Sequence, residues 1–190
     1  MPQVDLELFR RACEGDEDAY WRLMLPLRGL IFSVALGMWK NPEKAEDQLH
    51  DVLMAARGLI HNLRDPTRLA SWLYTMTRNR CIEGMRREDR LRAAVHGSQG
   101  RFTPVVPMEE LREKEQWLVW MEDALQHLPE PFRIAISLKY MNDYSCQEMA
   151  EILDISVPAV KSRLFQARKT LRRMTEALAA REGEHRHGMS

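Results

Sequence analysis

Residues of the types that bind nucleic acid are concentrated in one segment of the first half of this chain. Trp72, Tyr74 and Asn79 occur there together with a run of arginines that continues to Arg92. Aromatic rings stack on unpaired bases and guanidinium groups pair with phosphates, as is common in proteins that hold single-stranded nucleic acid. An asparagine amide can also donate to and accept from a base edge. The segment is a candidate single-strand binding site; the alternative from these residues alone is a core tryptophan beside a solvated basic surface.

A second basic segment lies near the end of the chain. No acidic residue occurs from Val157 to Arg173, although the whole chain has 28 basic and 28 acidic residues. Helical periodicity predicts that Val160, Leu164 and Leu171 pack inward, which leaves the other side of the helix for base edges and phosphates in a DNA major groove. A basic helix can also bind an acidic protein or only decorate a surface. The outward positions are Pro158, Ala159, Lys161, Ser162, Arg163, Phe165, Gln166 and Lys169.

The residues before this basic helix predict how it is positioned. Ser145 and Glu148 have the spacing of a capping box, which begins a short helix. A turn at Asp154-Ile155 follows, and Ser156 is a cap for the next helix. A short helix, a tight turn and a longer helix together predict a helix-turn-helix.

An acidic amphipathic helix is predicted to begin at Asn41-Pro42, a cap followed by a proline in the first turn. Its apolar positions fall on one face at a period of 3.6 residues. They are Ala45, Leu49, Val52, Ala56, Leu59, Ile60 and Leu63. The opposite face turns Asp47, His50, Asp51 and Met54 outward together. This face is either a contact for a basic partner or simply a solvated surface.

Helical periodicity recurs in almost every segment, so the sequence predicts an all-α protein of two small helical domains. The basic helix of the first domain begins at the cap Asp65-Pro66, and Gly84 interrupts it at a cost of about 1 kcal/mol relative to alanine. A glycine- and proline-containing stretch predicts a flexible linker. The predicted divisions are a first domain at 1–94, a linker at 95–110, a helix-turn-helix domain at 111–178 and a flexible tail at 179–190.

Composition excludes several classes of protein. With 190 residues and 45% hydrophobic content, the chain is long enough and apolar enough to bury a core. The longest apolar stretch, near Leu30 to Leu36, is too short to cross a membrane, and no signal peptide follows Met1. Cys13, Cys81 and Cys146 form no metal or redox motif, so we expect reduced thiols. No nucleophile and base, phosphate-binding loop or metal cluster stands out, so we expect a cytoplasmic protein that is not an enzyme and has no cofactor.

Taken in order, three motifs resemble those of bacterial RNA polymerase sigma factors of the extracytoplasmic-function (ECF) group, in the sigma-70 family. The stretch from Ala45 to Leu53 resembles the acidic helix that docks on the β′ clamp helices of the polymerase. Residues from Ser71 to Asn79, continuing to Arg86-Arg87, are similar to the segment that melts and reads the minus-ten element. The stretch from Tyr144 to Leu153, followed by Val160 to Arg168, resembles the helix-turn-helix that reads the minus-thirty-five element.

The resemblance implies a role for each set of residues and a set of partners. The partners are core RNA polymerase, through its β′ clamp helices and β flap, promoter DNA, and an anti-sigma protein held between the two domains; membrane insertion is not implied. The polymerase contact would be Asp47, His50, Asp51 and Met54. The minus-ten contact would be Arg78, Asn79, Arg80, Arg86 and Arg87, with Trp72 and Leu73 supporting it from the core. The minus-thirty-five contact would be the outward positions of the basic helix.

Some positions depart from the family pattern. His50 stands where the family usually has glutamine, which predicts a weaker or pH-dependent polymerase contact. Pro158-Ala159 replaces a commoner Gly-Thr, and Gln166 stands where a basic residue is frequent, so a promoter sequence cannot be carried over. Two other classes stay open: a conventional helix-turn-helix regulator, and a module that binds polymerase without promoter selectivity.

Overall fold

The computed structural model describes residues 4–95 and 127–187, with side chains through Ala94 in the first range and Met174 in the second. We call these ranges the N-terminal and C-terminal units. Within them every regular element is a helix, which confirms the predicted all-α fold. The predicted linker lies outside the described residues except for Val95, and so do residues 111–126 of the predicted second domain. The predicted domain boundaries therefore stay predictions.

The helices follow one another closely in each unit. The N-terminal unit contains α1 (Leu6–Cys13), α2 (Glu17–Met24), α3 (Arg28–Trp39), α4 (Pro42–Leu59) and α5 (Leu69–Val95). Its 3-10 turns are Leu25–Leu27, Ile60–Asn62 and Pro66–Arg68. The C-terminal unit contains α6 (Glu130–Met141), α7 (Cys146–Leu153) and α8 (Val157–His187).

Helix α3 lies at the centre of the molecule and packs against α4, α5 and α6. A helix with neighbours on every side is apolar on every side, which explains the stretch from Leu30 to Leu36. In the described part of the chain, Glu17–Trp39 is long and apolar enough to span a membrane, contrary to the sequence estimate, but 56% of its apolar window is buried inside the protein. The stretch is therefore the core of this fold.

Helix α4 begins where the sequence predicts. The Asn41 side chain accepts a hydrogen bond from the backbone N–H of Lys44 at 2.9 Å, and Pro42 is the first helical residue. The predicted apolar face is buried except at its end, where Leu59 is 44% exposed and Leu63 is half-buried. The prediction for Leu59 was wrong because α4 ends at that residue and the following 3-10 turn directs Ile60 into the core instead.

The predicted helix-turn-helix is present. Ser145 and Glu148 form the reciprocal capping box: Ser145 Oγ accepts from the Glu148 N–H at 3.2 Å, and the Ser145 N–H donates to Glu148 Oε2 at 2.7 Å. Asp154 ends α7 in the left-handed conformation at φ 53°. Ser156 Oγ accepts from the Ala159 N–H at 3.3 Å, and α8 begins at Val157.

Two long helices differ from the sequence expectation. Helix α5 runs unbroken through Gly84, after Asp65 caps the preceding 3-10 turn by accepting from the Thr67 N–H at 3.0 Å. Helix α8 continues to His187, so the backbone is helical well into 179–190, where a flexible tail was predicted. Alanine, arginine and glutamate dominate the residues after Thr175, and their high helix propensity favours this continuation.

Candidate nucleic-acid and protein-binding surfaces

The outward positions of α4 form one exposed surface, which we call the acidic face: Asp47, His50, Asp51 and Met54. The structure brings these four side chains together as predicted. Met54 is 59% exposed, although burial of a methionine side chain is favourable. The carboxylates at the edges of this surface can pair with basic side chains of a partner. The methionine at its centre can make an apolar contact.

His50 lies beside a carboxylate of its own helix. Its imidazole Nε2 is 3.8 Å from Glu46 Oε1, one helical turn away.

Asn79 is exposed on α5 and opens onto a groove of about 330 Å³. We call this groove the Asn79 cleft; its lining residues are Trp72, Thr75, Met76, Asn79, Arg80 and Glu83. An amide, an indole and a guanidinium that face one groove can bind the edge, the face and the phosphate of a nucleotide, respectively.

The supporting residues of the Asn79 cleft are only partly as predicted. Leu73 is fully buried, so its predicted place in the core is confirmed. Trp72 was expected in the core, but it is half-buried and lines the cleft. Thr75 and Met76 were not among the predicted contacts, although their position one turn before Asn79 places them on the same side of the helix. Arg86 and Arg87 are exposed further along α5.

Arg78 lies on the other side of Asn79, and its charge is already paired. Its Nε donates to Glu130 Oε1 of α6 at 3.0 Å. The two side chains are 41% and 33% exposed, so the pair stands at the edge of the contact between the units. No local pattern in the sequence indicates this pair, because the two residues are 52 positions apart.

Around this ion pair is a second groove, of about 320 Å³, which we call the Arg78 cleft. It lies between the two units, and it is lined by Tyr74, Thr75, Arg78, Asn79, Glu130, Pro131, Ile134 and Arg163. Burial raises the pKa of the Tyr74 hydroxyl above its ordinary value. Asn79 lies on the rim between the two clefts.

The basic helix α8 presents most of its predicted outward residues to solvent. Val160, Leu164 and Ala167 are buried, whereas Phe165 is 62% exposed. Ala159 and Arg163 are half-buried, and Arg163 faces the Arg78 cleft. The exposed positions are Pro158, Lys161, Ser162, Phe165, Gln166 and Lys169.

Arg168 also lies on the exposed side of α8, and it is tied to α6. Its Nε donates to the Tyr140 hydroxyl at 3.1 Å, and its guanidinium lies 5.9 Å from the centre of that ring. Tyr140 is 62% exposed, so this pair extends the surface of α8 with an aromatic group. In the described residues, no group of three histidine, cysteine or acidic side chains could hold a metal ion, and all three cysteines are free thiols.

Two sequence families match this chain. Residues 23–91 match sigma-70 region 2, and residues 118–171 match sigma-70 region 4. The ECF RNA polymerase sigma factor SigW of Bacillus subtilis (strain 168) is 28% identical over 174 residues, which cover 87% of this chain and 93% of that protein. The ECF RNA polymerase sigma-E factor of Escherichia coli (strain K12) is 24% identical over 187 residues, 94% of this chain and 97% of that protein.

Solved structures resemble this fold. The sigma factor RpoE in complex with the anti-sigma factor NepR, from Bartonella quintana, superposes with a TM-score of 0.60 at 26% identity, over 84% of this chain and 98% of that one. CnrH in complex with the cytosolic domain of CnrY superposes with a TM-score of 0.64 at 21% identity, over 92% and 99% of the two chains.

Proposed function

Since this chain belongs to the sigma-70 family and to its ECF group, we propose that three of its surfaces have separate binding roles. They are the acidic face, the Asn79 cleft and helix α8. The chain is an alternative sigma factor, which binds core RNA polymerase and directs promoter recognition and transcription initiation. The match to sigma-70 region 2 over residues 23–91 argues against a conventional helix-turn-helix regulator, which has no need for such a unit.

The acidic face docks on the β′ clamp helices. Exposure of Asp47, Asp51 and Met54 on one side of α4 supports this role, because the buried residues of the opposite side hold the helix in place. The carboxylates attract basic residues and orient the approach, which affects the association rate more than the final affinity. Met54 supplies apolar contact at the centre. A contact of the C-terminal unit with the β flap completes the docking.

The Asn79 cleft captures an unpaired base of the minus-ten element on the non-template strand. The Asn79 amide lies in a groove beside Trp72 and Arg80. The amide binds the edge of the base, the indole stacks on its face, and the guanidinium pairs with the phosphate. Arg86 and Arg87, exposed along the same helix, hold phosphates further along the strand. Arg78 joins them once it has left Glu130.

Helix α8 enters the major groove at the minus-thirty-five element. Pro158, Ser162 and Gln166 are exposed toward its N-terminal half, where a recognition helix meets base edges. Lys161 and Lys169 pair with phosphates, which position the helix without reading sequence. Phe165 offers an apolar surface to a thymine methyl group. Ala159 and Arg163, which are half-buried, contribute once the DNA is bound.

The chain supplies no catalysis of its own, because RNA synthesis belongs to the polymerase with which it acts in the cytoplasm. An anti-sigma protein is a further partner. Both structural relatives described above were solved in complexes: RpoE with its anti-sigma factor, and CnrH with a cytosolic domain. A protein that covers the acidic face or the Asn79 cleft would keep this chain from polymerase.

The observation that carries the proposal is the joint exposure of the acidic face and of Asn79 within the unit that matches region 2. The test is run-off transcription with purified core polymerase on DNA from upstream of the chain's own coding sequence. An Asp47→Ala/Asp51→Ala variant should lose transcript. A matched Glu7→Ala/Glu14→Ala variant removes two exposed charges from α1 and its C-terminal cap and should retain the transcript. Equal transcript from both variants would refute docking through the acidic face.

A further inference from the structure

The two DNA-binding units are packed against each other mainly through α3 and α6, with a smaller contact between α5 and α7. Three small residues of α3, Gly29, Ser33 and Gly37, recur at four-residue intervals on the side that α6 covers. A Cβ atom on Gly37 would lie 2.9 Å from Ile134 Cγ1 and 3.3 Å from the Ile134 backbone. A Cβ atom on Gly29 would lie 2.2 Å from Asn142 Oδ1. The close approach of the helices therefore depends on the absence of side chains at these glycines.

Polar contacts between the units are buried and directional. Arg133 is only 8% exposed; its Nε donates to the carbonyl of Gly37, and its Nη1 donates to that of Leu128. Gly37 lies in the last turn of α3, where unpaired carbonyls favour a cation. At the other end of the contact, Asn142 Nδ2 donates to Ser33 Oγ at 2.5 Å. Hydrogen bonds at both ends fix the two helices in one register.

This packing places groups assigned to two promoter elements in one cleft. Asn79 and Arg78 of the minus-ten surface line the Arg78 cleft together with Arg163 of α8. The elements at minus ten and minus thirty-five are about 25 base pairs apart, or roughly 85 Å along B-DNA at 3.4 Å per base pair. A chain with both surfaces at one cleft cannot reach both elements, so the α3–α6 contact must open before the promoter is bound.

The Glu130 carboxylate occupies the site on Arg78 that a DNA phosphate would need. A guanidinium binds carboxylates and phosphates with the same donor geometry, so the two anions compete. Pro131 and Ile134, on the same helix as Glu130, also line the Arg78 cleft.

We propose that the chain inhibits itself: α6 packed on α3 holds the units closed, and Glu130 takes the place of a DNA phosphate on Arg78. This inference rests on the proposed function, because it takes Arg78 and Asn79 as DNA contacts. Core polymerase opens the chain by binding the two units at separate sites, and the opening frees Arg78 for the non-template strand.

The ion pair is tested with the full-length chain and a fluorescent oligothymidine, measured over a range of salt concentrations. Glu130→Gln should bind more tightly than the wild type and should steepen the dependence of log K on log salt by roughly 0.7, the value for one extra phosphate contact on a single strand. Glu17→Gln is the matched control, because Glu17 pairs with Arg57 at 2.9 Å inside the N-terminal unit, and the Arg57 side chain is 39% exposed, close to the 41% of Arg78. A Glu130→Gln/Arg78→Ala variant should lose the gain. Equal slopes for Glu130→Gln and Glu17→Gln would overturn the competition at Arg78.

The closed packing is tested by a wedge. Gly37→Leu inserts a side chain where Ile134 lies, whereas Gly58→Leu inserts one on α4 where nothing lies within 4 Å. Small-angle scattering should show a larger radius of gyration for Gly37→Leu, with the helical circular dichroism of both variants unchanged. Equal radii would overturn the closed state. If Gly37→Leu fails to fold, the Glu130→Gln comparison alone tests the proposal. Wild-type transcription with core polymerase tests the proposed function separately, since neither the oligothymidine nor the scattering measurement involves polymerase.

Discussion

The Trp39 ring lies where a side chain on Gly84 would be. A Cβ atom on Gly84 would come within 2.6 Å of Trp39 Cζ2 and 3.0 Å of Cη2. The same ring donates from Nε1 to Gln48 Oε1 at 3.2 Å, and the Lys44 ammonium lies 4.9 Å from its centre. The tryptophan therefore joins α3, α4 and α5, and the glycine that interrupts the helical pattern of α5 is required by this packing.

Gly84→Ala is expected to lower the free energy of unfolding, although alanine has the higher helix propensity. The propensity gain is about 1 kcal/mol, whereas overpacking a fixed ring costs about 1–3 kcal/mol. Gly58→Ala has open space at its Cβ and should raise the free energy of unfolding by up to about 1 kcal/mol. Urea denaturation of both variants measures the two changes, and a gain at Gly84 equal to that at Gly58 would contradict the role of Trp39.

Local signals in the sequence predicted the parts of the fold that local interactions determine. The caps at Asn41, Asp65 and Ser145 begin their helices or turns as expected, because each satisfies backbone N–H groups within a few residues of itself. The acidic face and the buried stripe of α8 follow from helical periodicity alone. These features required no knowledge of the rest of the chain.

Contacts between distant residues could not be predicted in this way. Arg78 looked like a free cation because Glu130 is 52 residues away, and Gly84 looked like a break because Trp39 is on another helix. Trp72 was expected to support the minus-ten site from the core, but it is half-buried and lines the Asn79 cleft. For Arg78 and Gly84 the deciding interaction is tertiary, and no periodicity within one helix records it.

Phosphate contacts and base contacts on α8 should be distinguishable by the salt dependence of binding to duplex promoter DNA. Lys169→Ala should lower the magnitude of the slope of log K against log salt by roughly 0.9, the value for one phosphate contact on B-DNA. Gln166→Ala should leave that slope unchanged and alter the preference for sequence, because a neutral amide reads bases. Arg22→Ala removes an exposed cation from α2 and serves as the control for net charge. An unchanged slope for Lys169→Ala would remove Lys169 from the phosphate interface.

Two buried acids should make the fold sensitive to alkaline pH. Burial raises the pKa of Tyr20 from 10.0 to about 12 and that of the Cys81 thiol from 9.0 to about 12. Tyr20 also donates from its hydroxyl to the Leu53 carbonyl, which joins α2 to α4. The unfolded chain therefore loses these protons at a lower pH than the folded chain does. The contribution of these two groups to the free energy of unfolding is fully present below about pH 9. It is lost as the pH rises toward 12, by up to about 1.4 kcal/mol per pH unit for each group. Urea denaturation between pH 8 and 11 should show a shallower decline for Tyr20→Phe and Cys81→Ala than for the wild type, and parallel curves would show that neither group titrates on unfolding.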